Sequence, residues 1–269
     1  MPKELMYNLP DEITRRTHII DLATEFNPLA PFCDILLHCK PTKEAIHQHA
    51  YSVQEPTLQS FFANGIADER YDLIICNEID YEKHRMQATL LELMRQFCTE
   101  YFLILNAHLM SKGAIEFLSK LVCTEFPGKI IFCFDSERIE TAESFLDNFY
   151  QTIENHKNFF DITEYEAGEP HSHEQKDVPP LTFDTIFRPL HNCRLMVTPT
   201  QGVSLCRRFE PLLQSIPLTK DELHRIYFEI ALLYYYSHNY DNVPYYLDKI
   251  TREQNDDELT ILSLICYLY

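Results

Sequence analysis

The stretch YFLILNAHLMSKGAIEFLSKLVCTEFPGKIIFCF, residues 101–134, decides the fold. Its two ends, YFLIL (101–105) and KIIFCF (129–134), are unbroken apolar runs of strand length. Between them AIEFLSKLVCTEF (114–126) spaces its apolar residues as a helix does and stops at Pro127-Gly128. Strand, helix and strand in so short a span make a crossover unit. Strands that are apolar on both faces belong to a parallel sheet covered by helices.

The same alternation continues outward. DILLHC (34–39) and YDLIICNEI (71–79) read as further strands. PTKEAIHQHAYSVQ (41–54), with Pro41 suited to a first turn, reads as a helix, as do RMQATLLELMRQFC (85–98) and ERIETAESFLDNFYQTIENH (137–156). One short amphipathic helix is expected near 11–26. Residues 161–182 are acidic, hold three prolines and read as a linker.

Beyond the linker the chain turns helical. SLCRRFEPLLQSI (204–216) carries Pro211, and TKDELHRIYFEIALLYYYSHN (219–239) opens with a capping box, Thr219 with Glu222. DNVPYYLDKITRE (241–253) starts at an Asp cap with Pro244 in its first turn, and DDELTILSLICYLY (256–269) is a last helix. The expected organisation is an α/β domain over 1–160, a linker over 161–182 and an all-α domain over 183–269.

Charge narrows the functions. Forty-one acidic residues against 23 basic leave a net charge of −18, which excludes a broad phosphate-binding surface. No nucleic-acid contact is expected of this fragment. The nine cysteines form no CxxC pair, and most lie in apolar runs such as LIIC (73–76). Such thiols behave as small buried hydrophobes of a reducing compartment. The leading MPKELMYNLPDEITRR has no apolar core, and no apolar run approaches the roughly 18 residues a membrane helix needs. A cytoplasmic protein with no membrane partner is expected.

In the tail, Tyr227, Ile230, Ala231 and Tyr234, then Tyr240, then Val243, Leu247 and Ile250 fall on the first-helix, turn and second-helix positions of one tetratricopeptide repeat, which this segment resembles from about residue 219. Tyr stands for the early Trp, Ala for Gly and Val for the crossing Ala. A second repeat begins near Asp256, and the chain stops without the polar cap that an array requires. The resemblance implies a protein that binds other proteins.

Over residues 1–160 the order of elements resembles the NTPase module of STAND proteins, of the maltose-activator-like and LuxR-type bacterial regulators. DILLHCKPTKEAI takes the phosphate-loop place, LIICNEIDYEK the second strand, YFLILNAHLM the Walker B strand and KIIFCFDSER the sensor strand. A second register is open: LIICNEID (73–80) also resembles an AAA+ Walker B strand, with Glu78 as the acid, Asn77 in the metal-binding place and YFLILN as the sensor. In either register the catalytic apparatus is absent. CKPTKEA (39–45) has no glycine to let backbone N–H groups wrap phosphates, and Lys40 and Lys43 mark only a vestigial phosphate-loop position. Asn106 and Ala107 stand where Mg²⁺-holding acids belong. The resemblance thus implies a degenerate P-loop NTPase-like fold kept for architecture. It implies the N-terminal part of a larger signalling or transcriptional regulator that works by protein contact without catalysis.

No catalytic residue and no cofactor are expected. His171, His173 and Glu174 form an HxHE cluster, but in a polar, proline-rich segment without further ligands at metal spacing; no metal is expected. Tyr235, Tyr236 and Tyr245, from the run Tyr234-Tyr235-Tyr236 and the next helix, are the expected partner-binding residues. Two rival readings stay open: a plain adaptor with no nucleotide ancestry, and an enzyme with a His, Cys or acidic site that has no local signature.

Overall fold

In a computed structural model, residues 17–68, 79–125, 127–134, 151–159 and 181–251 are described. The protein is mixed α/β, with a small parallel sheet and many helices. It divides into two compact units, 1–51 with 87–179, and 52–86 with 180–269. Residues 52–86, placed with the first domain by the sequence reading, group with the later helices instead.

The first unit is built on three strands, β1 (Thr17–Asp21), β2 (Tyr101–Leu105) and β3 (Lys129–Phe132), in the order β1-β2-β3 and all parallel. Thr17 is opposite Tyr101 and Tyr101 opposite Lys129. The central strand is the most apolar, and its Phe102, Leu103 and Ile104 have no exposed surface. With the sheet go α1 (Phe32–Cys39), α2 (Lys43–His49) and, after 87, the end of α4 (Ile79–Phe97). Between β2 and β3 runs α5 (Lys112–Leu121). Ser111 caps it by accepting from the Ala114 N–H, and its apolar face buries Ile115, Phe117, Leu118 and Leu121. Phe117 meets Phe32 of α1 at a ring separation of 4.8 Å.

Gly128 is required where β3 begins. A Cβ there would lie 2.8 Å from the Cys98 carbonyl oxygen and 3.0 Å from that of Glu100. The same close approach lets the Lys129 N–H reach the Glu100 carbonyl at 3.1 Å, pinning the start of β2 to β3.

Two assignments change. DILLHC (34–39) lies in helix α1, not a strand: an apolar run this short has no period that separates the two states. The first strand is THIID, inside the segment expected to be an amphipathic helix near 11–26; residues 11–16 are outside the described residues. The helix expected over 41–54 is shorter, and α3 (Glu55–Asn64) follows it unannounced. Ile79 already belongs to a helix, and the strand expected over 71–78 lies outside the described residues, as do 137–150, most of the linker and the last helix.

The second unit holds α3, the start of α4, α6 (Phe183–Leu195), α7 (Pro199–Phe209), α8 (Lys220–Tyr236) and α9 (Val243–Thr251). Pro211 ends α7 early, and a 3-10 turn runs over Glu210–Ser215. The Thr219–Glu222 capping box opens α8 as its sequence requires. A 3-10 turn (Tyr240–Asn242) replaces the start expected at Asp241, and α9 follows it with Pro244 in its first turn. Gly202 of α7 lets three helices close up: a Cβ there would sit 2.5 Å from Leu233 Cδ2 of α8 and 3.1 Å from Cys193 Cβ of α6. Leu190, Ile226, Ile230 and Leu233 are fully buried around it.

Several polar groups inside this unit are hydrogen-bonded. Asn192 receives the Ala67 N–H at 2.9 Å and donates to the Gly65 carbonyl at 3.0 Å, and the adjacent His191 Nε2 lies 3.1 Å from the Ala67 carbonyl. Gln54, with no exposed surface, donates to the Glu82 carbonyl and carboxylate at 3.0 and 2.8 Å. Glu229 is gripped by Arg194, with the guanidinium 2.5 Å from one carboxylate oxygen, and His191 Nδ1 is 3.4 Å from the other.

Candidate functional site

In open parallel sheets, ligands bind beyond the carboxyl ends of the strands. Asp21 ends β1 there. Its Oδ1 accepts from the Ala23 N–H at 3.0 Å and from Asn106 Nδ2 at 2.7 Å. Asn106 itself is left-handed, φ 54°, a conformation that asparagine tolerates better than most residues. Nearby, Asn27 Nδ2 donates to Asp34 Oδ1 at 2.6 Å, while the buried Asp34 Oδ2 has no hydrogen-bond partner among the described residues. Burial raises the Asp34 carboxyl to about 7 against the Asn27 hydrogen bond, and the charge of Glu25 adds to the rise. The carboxyl of Glu25 is raised too, by burial and by Asp21.

A raised folded-state pKa adds stability that is complete below the unfolded value and fades as pH rises. For Asp34 the window runs from 3.8 to about 7. Asp34→Asn, which cannot ionise, is expected to gain on the wild type by up to about 4 kcal/mol across that window. Urea midpoints measured at the two ends of the window check this; an equal difference at both would refute it.

Lys40 and Lys43 do not have the context a phosphate loop needs. Lys40 follows helix α1, as its left-handed cap (φ 52°), and Lys43 is the first residue of α2. Both are exposed, and a helix precedes them where a strand was expected. Asn106 and Ala107 do stand at the end of β2, as read. The HxHE cluster lies outside the described residues.

The tyrosines separate by exposure. Tyr236 is buried at 7%, and so does not face outward as expected. Tyr235 is half-buried and packs edge-on to Tyr236 and Tyr240, at 5.5 and 5.6 Å. Tyr245 is 55% exposed and lines a groove of about 410 Å³ with Tyr227, Lys249, Glu210 and Arg207. Lys249 Nζ lies 4.3 Å from the centre of the Tyr245 ring and 4.8 Å from that of Tyr227, and reaches Glu210 at 3.2 Å. Burial would lower the Lys249 ammonium, but its hydrogen bonds to Tyr245 and Glu210 prevail and raise it. Tyr246 donates to the other Glu210 oxygen at 2.8 Å. Arg207, exposed at the end of α7, makes no ion pair among the described residues. The sequence reading found Tyr245 but not Lys249, four residues on in the same helix, nor Arg207 and Glu210, which come from other elements.

At the amino end of the sheet, three metal-ligand side chains converge. His18 Nε2 is 2.6 Å from Glu100 Oε2, His38 Nε2 is 3.6 Å from the same oxygen, and the two imidazole rings lie 3.6 Å apart. These positions are far apart in the chain, and no local spacing marks them.

No helix among the described residues is long and apolar enough to cross a membrane. Compared with family models, with curated proteins and with solved structures, the chain matches none.

Proposed function

We propose that this chain works by protein–protein contact without turnover, and that the groove of the second unit takes a partner segment presenting a carboxylate beside an aromatic or aliphatic side chain. The observation that carries the reading is the pairing of Tyr245, more than half exposed, with Arg207, which makes no ion pair among the described residues, across one groove. Tyr and Arg are the residue types on which binding energy concentrates. Glu210 already neutralises Lys249, so Arg207 is the cation left for an incoming carboxylate. Lys249, held against three tyrosine rings, stiffens the wall and lowers the entropy lost on binding.

On the same reading the first unit is a degenerate NTPase-like fold kept for architecture, and helices α8 and α9 are a tetratricopeptide-like hairpin within a regulator. Three parallel strands support the first part, together with a central strand that ends in Asn106 and Ala107 in place of acids. Stacking of Tyr234 and Tyr246 between the two helices, at 5.4 Å, supports the second.

A displayed library of random peptides selected against the full chain tests the groove. Enriched peptides are expected to carry an acidic residue next to an apolar one. Tyr245→Ala and Arg207→Ala are each expected to weaken them about 30-fold, the equivalent of a 2 kcal/mol hot spot. Both side chains are exposed, so the fold should survive. Peptides that bind both variants as well as the wild type would remove the groove from the proposal.

A further inference from the structure

We propose that His18, His38 and Glu100 form a binding site for a divalent transition-metal ion of the zinc class, with the fourth position open to water. One ligand atom from each lies within 4.8 Å of the other two. A tetrahedral ion with bonds of about 2.1 Å needs ligand atoms roughly 3.4 Å apart. The 2.6 and 3.6 Å separations at Glu100 Oε2 bracket that spacing, so adjustments of under an ångström, within the reach of side-chain rotation, would bring both histidines to it.

The frame beneath the three residues is fixed before any ion arrives. His18 is held by the strand ladder, opposite Phe102 in the register. Glu100 immediately precedes β2, with its carbonyl oxygen bonded to the Lys129 N–H and Gly128 packed against it. His38 sits in the last turn of α1. Fully buried Phe102 closes the site from below, its ring 5.6 Å from His18 and 5.9 Å from His38. Ligands on rigid elements over an apolar floor lose little freedom when they bind.

One divalent ion takes a lone pair from each imidazole and from the carboxylate at once. Two imidazoles and a carboxylate are the donor set of borderline metals, and three protein ligands with an open fourth place make an accessible site. The side chains are 35%, 44% and 46% exposed, so an ion and its water can reach them. The net charge of −18 favours cations generally.

Cys39 and Cys98 share a hydrogen bond close by, and both feel the charge of Glu100. They are rival donors that the test must separate from the histidines.

Cobalt(II), which reports its ligands by colour, is titrated into the full reduced chain and then displaced with zinc. One equivalent is expected to give ligand-field bands in the visible without the intense thiolate charge-transfer band of cysteine ligation. His18→Gln, His38→Gln and Glu100→Gln should each weaken binding by more than about 100-fold, beyond the loss typical of an outer-shell partner. His47→Gln, on exposed α2, should leave it unchanged. If Glu100→Gln fails to fold, as judged by circular dichroism, His38→Gln at a helix surface gives the same reading. Three results would overturn the site: no stoichiometric cobalt on the folded chain, binding that survives all three substitutions, or a charge-transfer band that Cys39→Ser or Cys98→Ser abolishes. The site belongs to the first unit and the peptide groove to the second, and either proposal can fail without the other.

Discussion

Replacing Glu229 with alanine is expected to destabilise the second unit by about 3–5 kcal/mol, the usual cost of removing one partner from a buried ion pair. Glu229 is 3% exposed, and Arg194 and His191 both point at its carboxylate. Without it, the Arg194 guanidinium, only 14% exposed, loses the carboxylate that grips it. Burial alone would raise the Glu229 carboxyl, but the charge of Arg194 and the hydrogen bonds from His191 and Arg194 prevail and hold it at about 2. A lowered folded-state pKa contributes stability that is complete above the unfolded value of 4.5 and is lost as pH falls towards about 2. The wild type should therefore lose stability across that acid window, and Glu229→Ala should lose less there. Urea unfolding followed by circular dichroism reads both effects, and an alanine variant within 1 kcal/mol of the wild type at neutral pH would contradict the account. Glu229→Leu combined with Arg194→Met should recover much of the loss, because a packed apolar replacement removes both desolvated charges.

Phe117→Ala is expected to cost the first unit a similar amount, about 3–5 kcal/mol. Phe117 has no exposed surface and packs against Phe32, which is fully buried as well. Truncation therefore removes transfer energy and leaves a cavity between α5 and α1, and α5 cannot slide inward to fill it, because both of its ends are tied to strands of the sheet. Phe117→Leu should cost less, since it keeps most of the volume. The expected reading is a lower urea midpoint with an unchanged slope. Equal midpoints for alanine and wild type would place Phe117 outside the cooperative core.

What the sequence made legible follows from the range of the forces involved. YFLIL, KIIF and the helix between them are readable because pattern, stop signal and length agree within 34 residues. THIID was unreadable because its extended state comes from pairing with residues 101–105, some eighty positions away. DILLHC reads as well as a strand because it is short: Ile35 and Leu36 are buried, and the exposed His38 alone does not fix a helical period. The capping box at Thr219 was readable because both partners are three residues apart. The sites were less so. Tyr245 stood out by composition, and Lys249 follows it four residues on in the same helix, but Arg207 and Glu210 join them only through tertiary packing. His18, His38 and Glu100 meet only once β1, α1 and β2 are in place.

The bonds from α6 to Gly65 and Ala67 bear on how this polypeptide can be dissected. Neither unit is one unbroken length of chain. A gene fragment opened at the apparent linker, to release the later helices alone, would carry His191 and Asn192 in an apolar interior with the backbone groups they bind left behind. A piece meant to stand by itself has to bring residues 52–86 with it, and the chain passes between the units at three junctions and not one.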